Sequence, residues 1–400
     1  FWLKIVTQAA SSLRYHTFRC TDPNQFQLMP MAVALSRLPV AAARSSLLPQ
    51  LGRAAYPPFY PRCGSTFLSS MAEAASQPTS VSEKQLHIET PLVRSRSLSA
   101  KLGAEVYLKL DCLQPSGSFK LRGIGHTVRT AVMNGAKLIV CSSGGNAGLA
   151  AAYSAWSLGV ECVVVLPSTS PPVAHKLLSE LGAKVVVHGD VFDEADKYAR
   201  EFTIAQNGCY VHPFDQDSTW RGHATLVEEL ANQLPEAPDA IVTCAGGGGL
   251  VMGILQGLEL VGWQDTTKVI CSETLGAASL YRSLEAKELV TLPAITSVAK
   301  SLGALRVSET VFKKCLERSS VGLLVSHLVS DQEAVTACVR LANEARLLVE
   351  PACGAALACA EFKAPGLDGC KTIVIEVCGG SLIDVATLNN LIYTIGVVKE

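Results

Sequence analysis

Short apolar runs alternate with longer helical stretches from about Leu86 to the carboxyl end of the chain. Strand–helix alternation of this kind is typical of α/β folds with parallel sheets. Seven runs rich in Val, Ile, Leu and Cys predict strands, at Val106–Leu110, Leu138–Cys141, Glu161–Leu166, Lys184–Val187, Ala240–Thr243, Lys268–Cys271 and Thr372–Val377. We therefore predict an α/β fold with parallel-rich sheets.

Small residues follow two of these predicted strands, just before a predicted helix. The segment Ser142–Asn146 follows the strand that ends at Cys141, and the run Gly246–Gly249 follows the strand that ends near Thr243. Ligands of open parallel sheets bind at the carboxyl ends of strands, and helix N-termini attract anions. Both turns are therefore candidate ligand-binding loops.

The first 80 residues differ in composition from the rest of the chain. Between Asp22 and Glu73 there is no acidic residue, while four arginines lie among Ala, Ser, Leu and Pro, namely Arg37, Arg44, Arg53 and Arg62. This composition is typical of an organelle transit peptide, and translated sequence upstream of a later start methionine would also explain it. We predict that residues 1–80 are an amino-terminal extension, transit-like or unstructured.

Composition and charge narrow the class of partner. The chain has 400 residues, is 48% hydrophobic and carries a formal net charge of −1, so it has no global attraction for nucleic acid or for a membrane surface. No apolar run reaches the roughly 18 residues that span a bilayer. Fourteen cysteines are scattered through apolar segments, which indicates buried reduced thiols. Cys209 and His212 lack the second pair that a zinc site needs. We expect an intracellular protein with small polar ligands.

The run Gly246–Gly249 is a candidate phosphate cradle. Its amides can turn toward one anion, and a helix predicted from Leu250 adds its positive end. A flexible linker or a tight turn is the alternative. A dinucleotide-binding fingerprint fits less well because the third glycine, Gly249, falls one residue early, which disfavours a nicotinamide dehydrogenase.

Lys120 stands in the segment Ser116–Gly123, beside an aromatic residue, Phe119. A lysine forms a Schiff base only when part of it is neutral, which burial can achieve, and an aromatic neighbour can pack on a planar cofactor. Taken alone, a lysine is more often a solvated surface group. Its interpretation therefore depends on the surrounding motifs.

Five segments supply those motifs, in this order: Pro115–His126, Cys141–Tyr153, Gly246–Leu250, Val349–Ala355 and Val377–Ser381. Together they resemble the animal L-serine dehydratase/L-threonine deaminase family, and its serine dehydratase-like branch in particular, over roughly residues 84–400. The resemblance implies the tryptophan synthase β-like fold of fold type II pyridoxal-phosphate enzymes, with two lobes in three layers. The large cofactor-binding domain would comprise residues 84–112 and 222–400, and the small domain residues 113–221.

The resemblance implies a lyase that uses pyridoxal 5'-phosphate for α,β-elimination. L-Serine would give pyruvate and ammonia, and L-threonine would give 2-oxobutanoate. Lys120 would hold the cofactor as a Schiff base, take the α-proton and protonate the leaving hydroxyl. The other cofactor-binding residues would be Phe119 on the ring, Asn146 at the 3-oxygen, Pro213 at the pocket wall, Cys378 at the ring nitrogen, and Gly246, Gly247, Gly248, Gly249 and Leu250 at the phosphate.

Two of these positions bear on the choice of reaction. A thiol at Cys378 carries no charge at neutral pH, so it would leave the ring nitrogen largely unprotonated and favour elimination; the alternative is a small buried residue that ends a strand. The substrate carboxylate would bind at Ser142, Ser143, Gly144 and Gly145. The main serine dehydratase has alanine where this chain has Gly144, and serine racemases have a serine that acts as an acid and base. Glycine there disfavours racemase activity, and a low-turnover cofactor-binding protein remains the other alternative.

The resemblance also implies a monovalent cation, K⁺, bound by all-oxygen ligands, which suit a hard cation. The ligands would come from Glu273, Ala277, Ser279, Leu302 and Ala304, although Glu273 alone is also explained as a solvated acid after a strand. We expect a homodimer that binds neither nucleic acid nor membrane. Its compartment would be the cytoplasm, or mitochondria if residues 1–80 are a genuine transit peptide.

Overall fold

Two β-sheets form the centre of residues 85–397, the part of the chain that the computed structural model describes. The predicted extension, residues 1–80, lies outside these described residues. The strands are β1 (Leu92–Arg94), β2 (Glu105–Lys109), β3 (Leu138–Cys141), β4 (Glu161–Leu166), β5 (Lys184–Val187), β6 (Cys209–Val211), β7 (Ala240–Cys244), β8 (Lys268–Thr274), β9 (Leu324–Val329) and β10 (Thr372–Glu376). The large sheet has the order β1-β2-β10-β7-β8-β9, and the small sheet has the order β5-β4-β3-β6.

Helices cover these sheets, since every parallel pair of strands needs a crossover connection. They are α1 (Arg96–Leu102), α2 (Lys120–Met133), α3 (Asn146–Leu158), α4 (Pro172–Glu180), α5 (Phe192–Ala205), α6 (Asp217–Gln233), α7 (Gly249–Val261), α8 (Ser279–Ala286), α9 (Glu309–Ser320), α10 (Asp331–Ala345), α11 (Pro351–Glu361) and α12 (Val385–Ile395). Short 3₁₀ helices cover Asp111–Leu113 and Lys300–Leu302.

The strands of both sheets are parallel except β1, which is antiparallel to β2 at the edge of the large sheet. In the middle of the large sheet, every residue of β7 is buried, because its apolar side chains meet helices on both faces. Helix α11 is buried along its whole length, and its small residues let it approach α10 closely, since a side chain at Gly354 would overlap the Ala334 carbonyl. The prediction of an α/β fold with parallel-rich sheets is confirmed.

The strands of the two sheets come from different parts of the chain. Those of the small sheet lie within residues 138–211, and those of the large sheet lie within residues 92–109 and 240–376. The exact domain limits stay a prediction, and the one at residues 221 and 222 falls inside α6, which packs on both α2 and α7. The cysteines of residues 85–397 are free thiols. Within the same range, no helix is both long and apolar enough to cross a membrane.

Candidate active site

The turn before α2 places Lys120 at the first position of that helix. The amide of Phe119 donates to the carbonyl oxygen of Cys378 at 3.0 Å, so the turn is tied to the chain that leaves β10. Gly117 has φ +76°, and a side chain there would overlap the Ser381 hydroxyl. Only glycine fits this position, because its backbone is left-handed and the neighbouring chain is close.

The amino group of Lys120 points into the protein. Its Nζ donates to the carbonyl oxygen of Pro213 at 2.6 Å and lies 5.2 Å from the centroid of the Phe119 ring. Burial lowers the pKa of Lys120 to about 8. A substantial part of this amine is therefore neutral near physiological pH, as a nucleophilic lysine requires.

The Phe119 ring packs on a fully buried histidine. Its centroid lies 5.0 Å from that of His223, with the rings tilted by 45°. Burial lowers the pKa of His223 well below its ordinary value, and Lys120 and Arg122 add to this effect. Neither ring nitrogen finds a hydrogen-bond partner within residues 85–397. A neutral, tightly packed imidazole therefore supports Phe119 from the side.

The glycine loop, Gly246–Gly249, connects β7 to α7. Side chains cannot be added to it, because one at Gly247 would overlap the Phe214 ring and one at Gly249 would lie 2.7 Å from the Phe214 carbonyl oxygen. The amides of Gly246 to Leu250 donate no hydrogen bond to any other part of the described chain. Five unpaired amides at a helix N-terminus form a cradle for an anion such as a phosphate group.

Lys120 and the glycine loop are brought together by two consecutive residues. The Pro213 carbonyl accepts from Lys120, while the next residue, Phe214, packs against Gly247 and Gly249. The Trp220 indole fixes this segment by donating to the Phe214 carbonyl at 2.7 Å. The amine and the unpaired amides therefore belong to one site.

Asn146 begins α3 and has a fixed side-chain orientation. Its Nδ2 lies 3.3 Å from both carboxyl oxygens of Glu350, and its Oδ1 accepts from the Ser381 amide at 2.8 Å. Glu350 also accepts from the Ser301 hydroxyl and from the Leu382 amide. Burial raises the pKa of Glu350, which these donors partly counteract.

Cys378 lies just beyond the end of β10 and is buried. Its Sγ is 3.7 Å from Sγ of Cys244. Interaction with the thiols of Cys244 and Cys353, together with burial, raises the pKa of Cys378 well above its ordinary value. The side chain is therefore a neutral thiol.

The loop Ser142–Gly145 follows β3 and leads into α3. The Ser142 hydroxyl donates to Oδ1 of Asp196 at 2.5 Å, and the Ser143 hydroxyl accepts from the Gly145 amide at 3.3 Å. A side chain at Gly144 would lie 3.1 Å from Leu166 and 3.2 Å from the Ser170 hydroxyl, so this position is tight. The Gly144 amide donates no hydrogen bond within the described chain.

The residues expected at a cation site come from two segments of the chain, the end of β8 with the start of α8, and the 3₁₀ helix Lys300–Leu302 with the residues after it. The fully buried carboxylate of Glu273 accepts from the amides of Leu280 at 2.9 Å and Tyr281 at 2.6 Å, so it caps the N-terminus of α8. Burial raises the pKa of Glu273 to about 8. Ala277 and Ser279 are buried beside it, and the Ser279 hydroxyl lacks a partner among the described residues.

Leu302 lies beside the glycine loop, and the Ala304 amide donates to its carbonyl oxygen at 2.7 Å. A side chain at Gly246 would come within 3.2 Å of the Leu302 backbone. In the part of the chain that the structure describes, there is no group of three or more His, Cys, Asp or Glu side chains placed to hold a metal ion.

Three polar residues of the site, Glu350, Ser381 and Asp196, are not predicted as functional by the sequence analysis. Glu350 stands within the motif Val349–Ala355, and Ser381 ends the motif Val377–Ser381. The motifs therefore mark both positions but do not show what their side chains do. Asp196 lies on an ordinary amphipathic helix, α5, with no motif around it. Only the fold brings this carboxylate to the Ser142–Gly145 loop.

Comparisons with known proteins agree with this geometry. Residues 84–379 match the family model described as "Pyridoxal-phosphate dependent enzyme", and the chain belongs to this family. L-serine dehydratase/L-threonine deaminase of Bos taurus is 46% identical over 317 residues, which cover 77% of this chain and 95% of that protein. "Serine dehydratase-like" of Homo sapiens is 45% identical over 318 residues, with coverage of 77% and 95%.

A solved structure of a related enzyme has a similar fold. The fungal L-serine ammonia-lyase from Rhizomucor miehei aligns with a TM-score of 0.70 and 35% identity, over 77% of this chain and 98% of that one. The fold class predicted from the sequence, that of tryptophan synthase β-like pyridoxal-phosphate enzymes, is therefore confirmed.

Proposed function

We propose that this protein eliminates water from L-serine to give aminoacrylate, which water then hydrolyses to pyruvate and ammonia, and that it acts in the same way on L-threonine to give 2-oxobutanoate. The observation that carries the proposal is the Lys120 amine, which is buried, has a pKa of about 8 and shares one site with the unpaired amides of the glycine loop. The names of the relatives at 46% and 45% identity support the same reaction.

The residues present fit pyridoxal 5'-phosphate. The five amides of Gly246 to Leu250 match a phosphate group, and the amine of Lys120 matches an aldehyde. Phe119, Asn146, Pro213 and Cys378 would complete the site. When bound, this cofactor supplies the electron sink that makes the α-proton of an amino acid acidic.

The chain's own groups then handle the protons. The neutral Lys120 amine can take a proton from the substrate's α-carbon, and the resulting ammonium can give a proton to the leaving hydroxyl. The Pro213 carbonyl orients Nζ. Ser142, Ser143, Gly144 and Gly145 would bind the substrate carboxylate through their backbone amides. Cys378 contributes a neutral thiol, which cannot hold a positive charge on a neighbouring ring nitrogen as a carboxylate would.

Three finer features are also part of the proposal. K⁺ would bind near Glu273, Ala277 and Ser279, with carbonyls of Leu302 and Ala304; the buried Glu273 side chain and the Ser279 hydroxyl, which has no partner among the described residues, support this. The enzyme would be a homodimer in the cytoplasm. Light scattering of the purified protein tests the dimer, and assays with K⁺ or Na⁺ test the cation.

The main experiment combines a cofactor assay with a product assay. We expect the purified protein to be yellow, borohydride to attach the cofactor to Lys120, and L-serine to give pyruvate with L-threonine as a second substrate. The variant Lys120→Ala should lose both labelling and turnover. D-Serine formation without keto acid would instead indicate a racemase, and a bound cofactor without turnover a binding protein. A colourless protein that binds NAD would overturn the proposal.

A further inference from the structure

Asp196, on helix α5, lies behind the Ser142–Gly145 loop and accepts hydrogen bonds from three side chains. Its Oδ1 accepts from the Ser142 hydroxyl at 2.5 Å and from the Tyr210 hydroxyl, and its Oδ2 accepts from Arg200 Nε at 2.8 Å. Ser142 is fully buried at the end of β3, and Tyr210 belongs to β6. One carboxylate therefore joins a helix to the ends of two neighbouring strands.

The charge on Asp196 strengthens these bonds. Although burial acts to raise the pKa of Asp196, the donors Ser142, Tyr210 and Arg200 hold that pKa below its ordinary value. The side chain is 17% exposed, so its charge is only partly screened by water. Hydrogen bonds to an ionised acceptor are shorter and stronger than neutral ones, so Ser142 is firmly held.

The side chains around Asp196 account for all of the hydrogen bonds that its carboxylate accepts in the described chain. Arg200 is half-exposed and bonds the carboxylate from the solvent side, while its guanidinium carbon lies 4.3 Å from the centroid of the Tyr210 ring. Burial and the bond to Asp196 raise the pKa of Tyr210, which therefore stays a neutral donor. The remaining contact of the carboxylate is Ser142, the first residue of the loop.

We propose that Asp196 is a positioning residue that fixes the Ser142–Gly145 loop so that its amides meet the substrate's carboxylate. The inference rests on the proposed function for the role of that loop. A backbone amide can reorient only when the chain moves. These amides therefore bind a carboxylate well only if the loop is held in place. Small displacements of such groups cost up to about 100-fold in rate.

The test compares two ligands that differ only in the carboxylate. L-Serine and L-serinamide, in which a neutral amide replaces the carboxylate, are titrated into the holoenzyme, and the change in cofactor absorption gives their dissociation constants. In Asp196→Asn we expect L-serine to bind about tenfold more weakly, because one charge-assisted hydrogen bond contributes about that much to affinity. L-Serinamide should bind nearly as it does to wild type. Keto-acid assays should show the change in KM rather than in kcat.

Matched variants separate positioning from folding. Ser142→Ala should reproduce the selective loss for L-serine, and the double variant should be no worse than either single one. Asp193→Asn, an exposed change on the same helix, is the control and should behave as wild type. If Asp196→Asn fails to fold, Ser142→Ala and Tyr210→Phe carry the test, with a smaller loss expected for Tyr210→Phe because the Ser142 bond remains.

The outcomes distinguish the two proposals. Equal weakening of both ligands, or unchanged binding of L-serine in Asp196→Asn and Ser142→Ala, overturns the positioning role while wild-type turnover stands. If the wild type itself gives no L-serine-dependent change in absorption and no keto acid, the proposed function fails instead.

Discussion

A single carboxyl group, that of Glu350, organises the polar side of the site. It accepts from the Asn146 amide group, from the Ser301 hydroxyl and from the Leu382 amide, so every neighbour is a donor. These partners come from α3, from a 3₁₀ helix and from the chain after β10. The orientation of Asn146 therefore depends on an acceptor that has no contact with the reacting atoms in the proposed mechanism.

We expect Glu350→Gln to damage this arrangement. The new amide nitrogen would face donors, and an unsatisfied buried donor costs about 1–3 kcal/mol, so cofactor affinity should fall roughly 10- to 100-fold. Titration of the apo-protein with pyridoxal phosphate, followed by absorption, measures the change. Glu317→Gln, an exposed change on α9, is the control. Equal affinity in Glu350→Gln and wild type would show that Asn146 is held without this carboxylate.

The sequence predicted the side chains that carry chemistry better than the side chains that hold them in place. Lys120 and Cys378 stand in short motifs; burial of the Lys120 amine lowers its pKa, and the Cys378 side chain is buried. Glu350 and Asp196 act through contacts between residues 204 and 54 positions apart in the chain, respectively. Such contacts depend on how the strands are ordered in space, which no local pattern contains.

At the scale of the elements, strand β10 has an unusual buried acid, Glu376. Its Oε2 lies 3.5 Å from the Thr243 hydroxyl on β7, and its Oε1 has no partner among the described residues. Burial, with the nearby charge of Asp111, raises the pKa of Glu376 well above its ordinary value of 4.5. The folded protein therefore binds a proton here that the unfolded chain releases.

This linkage makes stability depend on pH. Above about pH 4.5 the unfolded chain loses the proton and the folded protein keeps it, so the free energy of unfolding falls as the pH rises toward the folded-state pKa of Glu376. The unfolding midpoint of the neutral variant Glu376→Gln should lack this pH dependence, so the wild-type midpoint should fall relative to that of the variant as the pH rises above about 5. Thermal unfolding followed by circular dichroism measures the midpoints, with Glu161→Gln, an exposed change at the start of β4, as the control. A constant difference at all pH values would contradict the assignment.

Helix α3 depends on one close backbone contact. A side chain at Gly148 would overlap the Ser143 carbonyl oxygen, which cannot move without shifting the Ser142–Gly145 loop. We expect Gly148→Ala to destabilise the protein by roughly 2–3 kcal/mol and to weaken L-serine binding. In contrast, Gly125→Ala on α2 meets Leu86 at an ordinary 3.4 Å, and the better helix propensity of alanine should stabilise the protein by about 0.5–1 kcal/mol. Urea unfolding of both variants provides the comparison, and equal losses would contradict it.

The periodic pattern predicted seven of the ten strands, each within about three residues of its observed limits. The three it missed are weak signals for physical reasons. β1 and β6 have three residues each, too few to show a period, and β9 is a half-buried edge strand, Leu324–Val329, with Ser and His in its middle. Strands inside a sheet are apolar on both faces, so the sequence reveals them more clearly than edges.

The site lies where elements of both sheets meet. Lys120 and Asn146 begin α2 and α3, which pack on each other, and α3 also packs on the small sheet, while the glycine loop and Cys378 follow strands of the large sheet. The buried Arg122, two residues after Lys120, bonds Asp111 at 2.7 Å and Glu229, which ties α2 to the large-sheet side. Although burial acts to raise the pKa of Asp111, Arg122 and Thr90 hold that pKa below its ordinary value.

A cofactor held by groups from both sides should therefore stabilise the whole fold. Binding to the folded state alone adds about 2.7 kcal/mol at a ligand concentration 100 times the dissociation constant. We expect removal of pyridoxal phosphate to lower the unfolding midpoint by roughly 5 °C or more, in one transition for both sheets. Differential scanning calorimetry of holo- and apo-protein tests this.

The variant Lys120→Ala is the informative comparison for that measurement. It keeps the five amides of the glycine loop, so added pyridoxal phosphate should restore part of the lost midpoint through the phosphate group alone. Inorganic phosphate should give a smaller rise in the apo-protein. If the midpoints of holo- and apo-protein coincide, the cofactor does not link the two sheets. The same conclusion follows if the cofactor changes the unfolding of only one part of the chain, and the site would then belong to one side of the molecule.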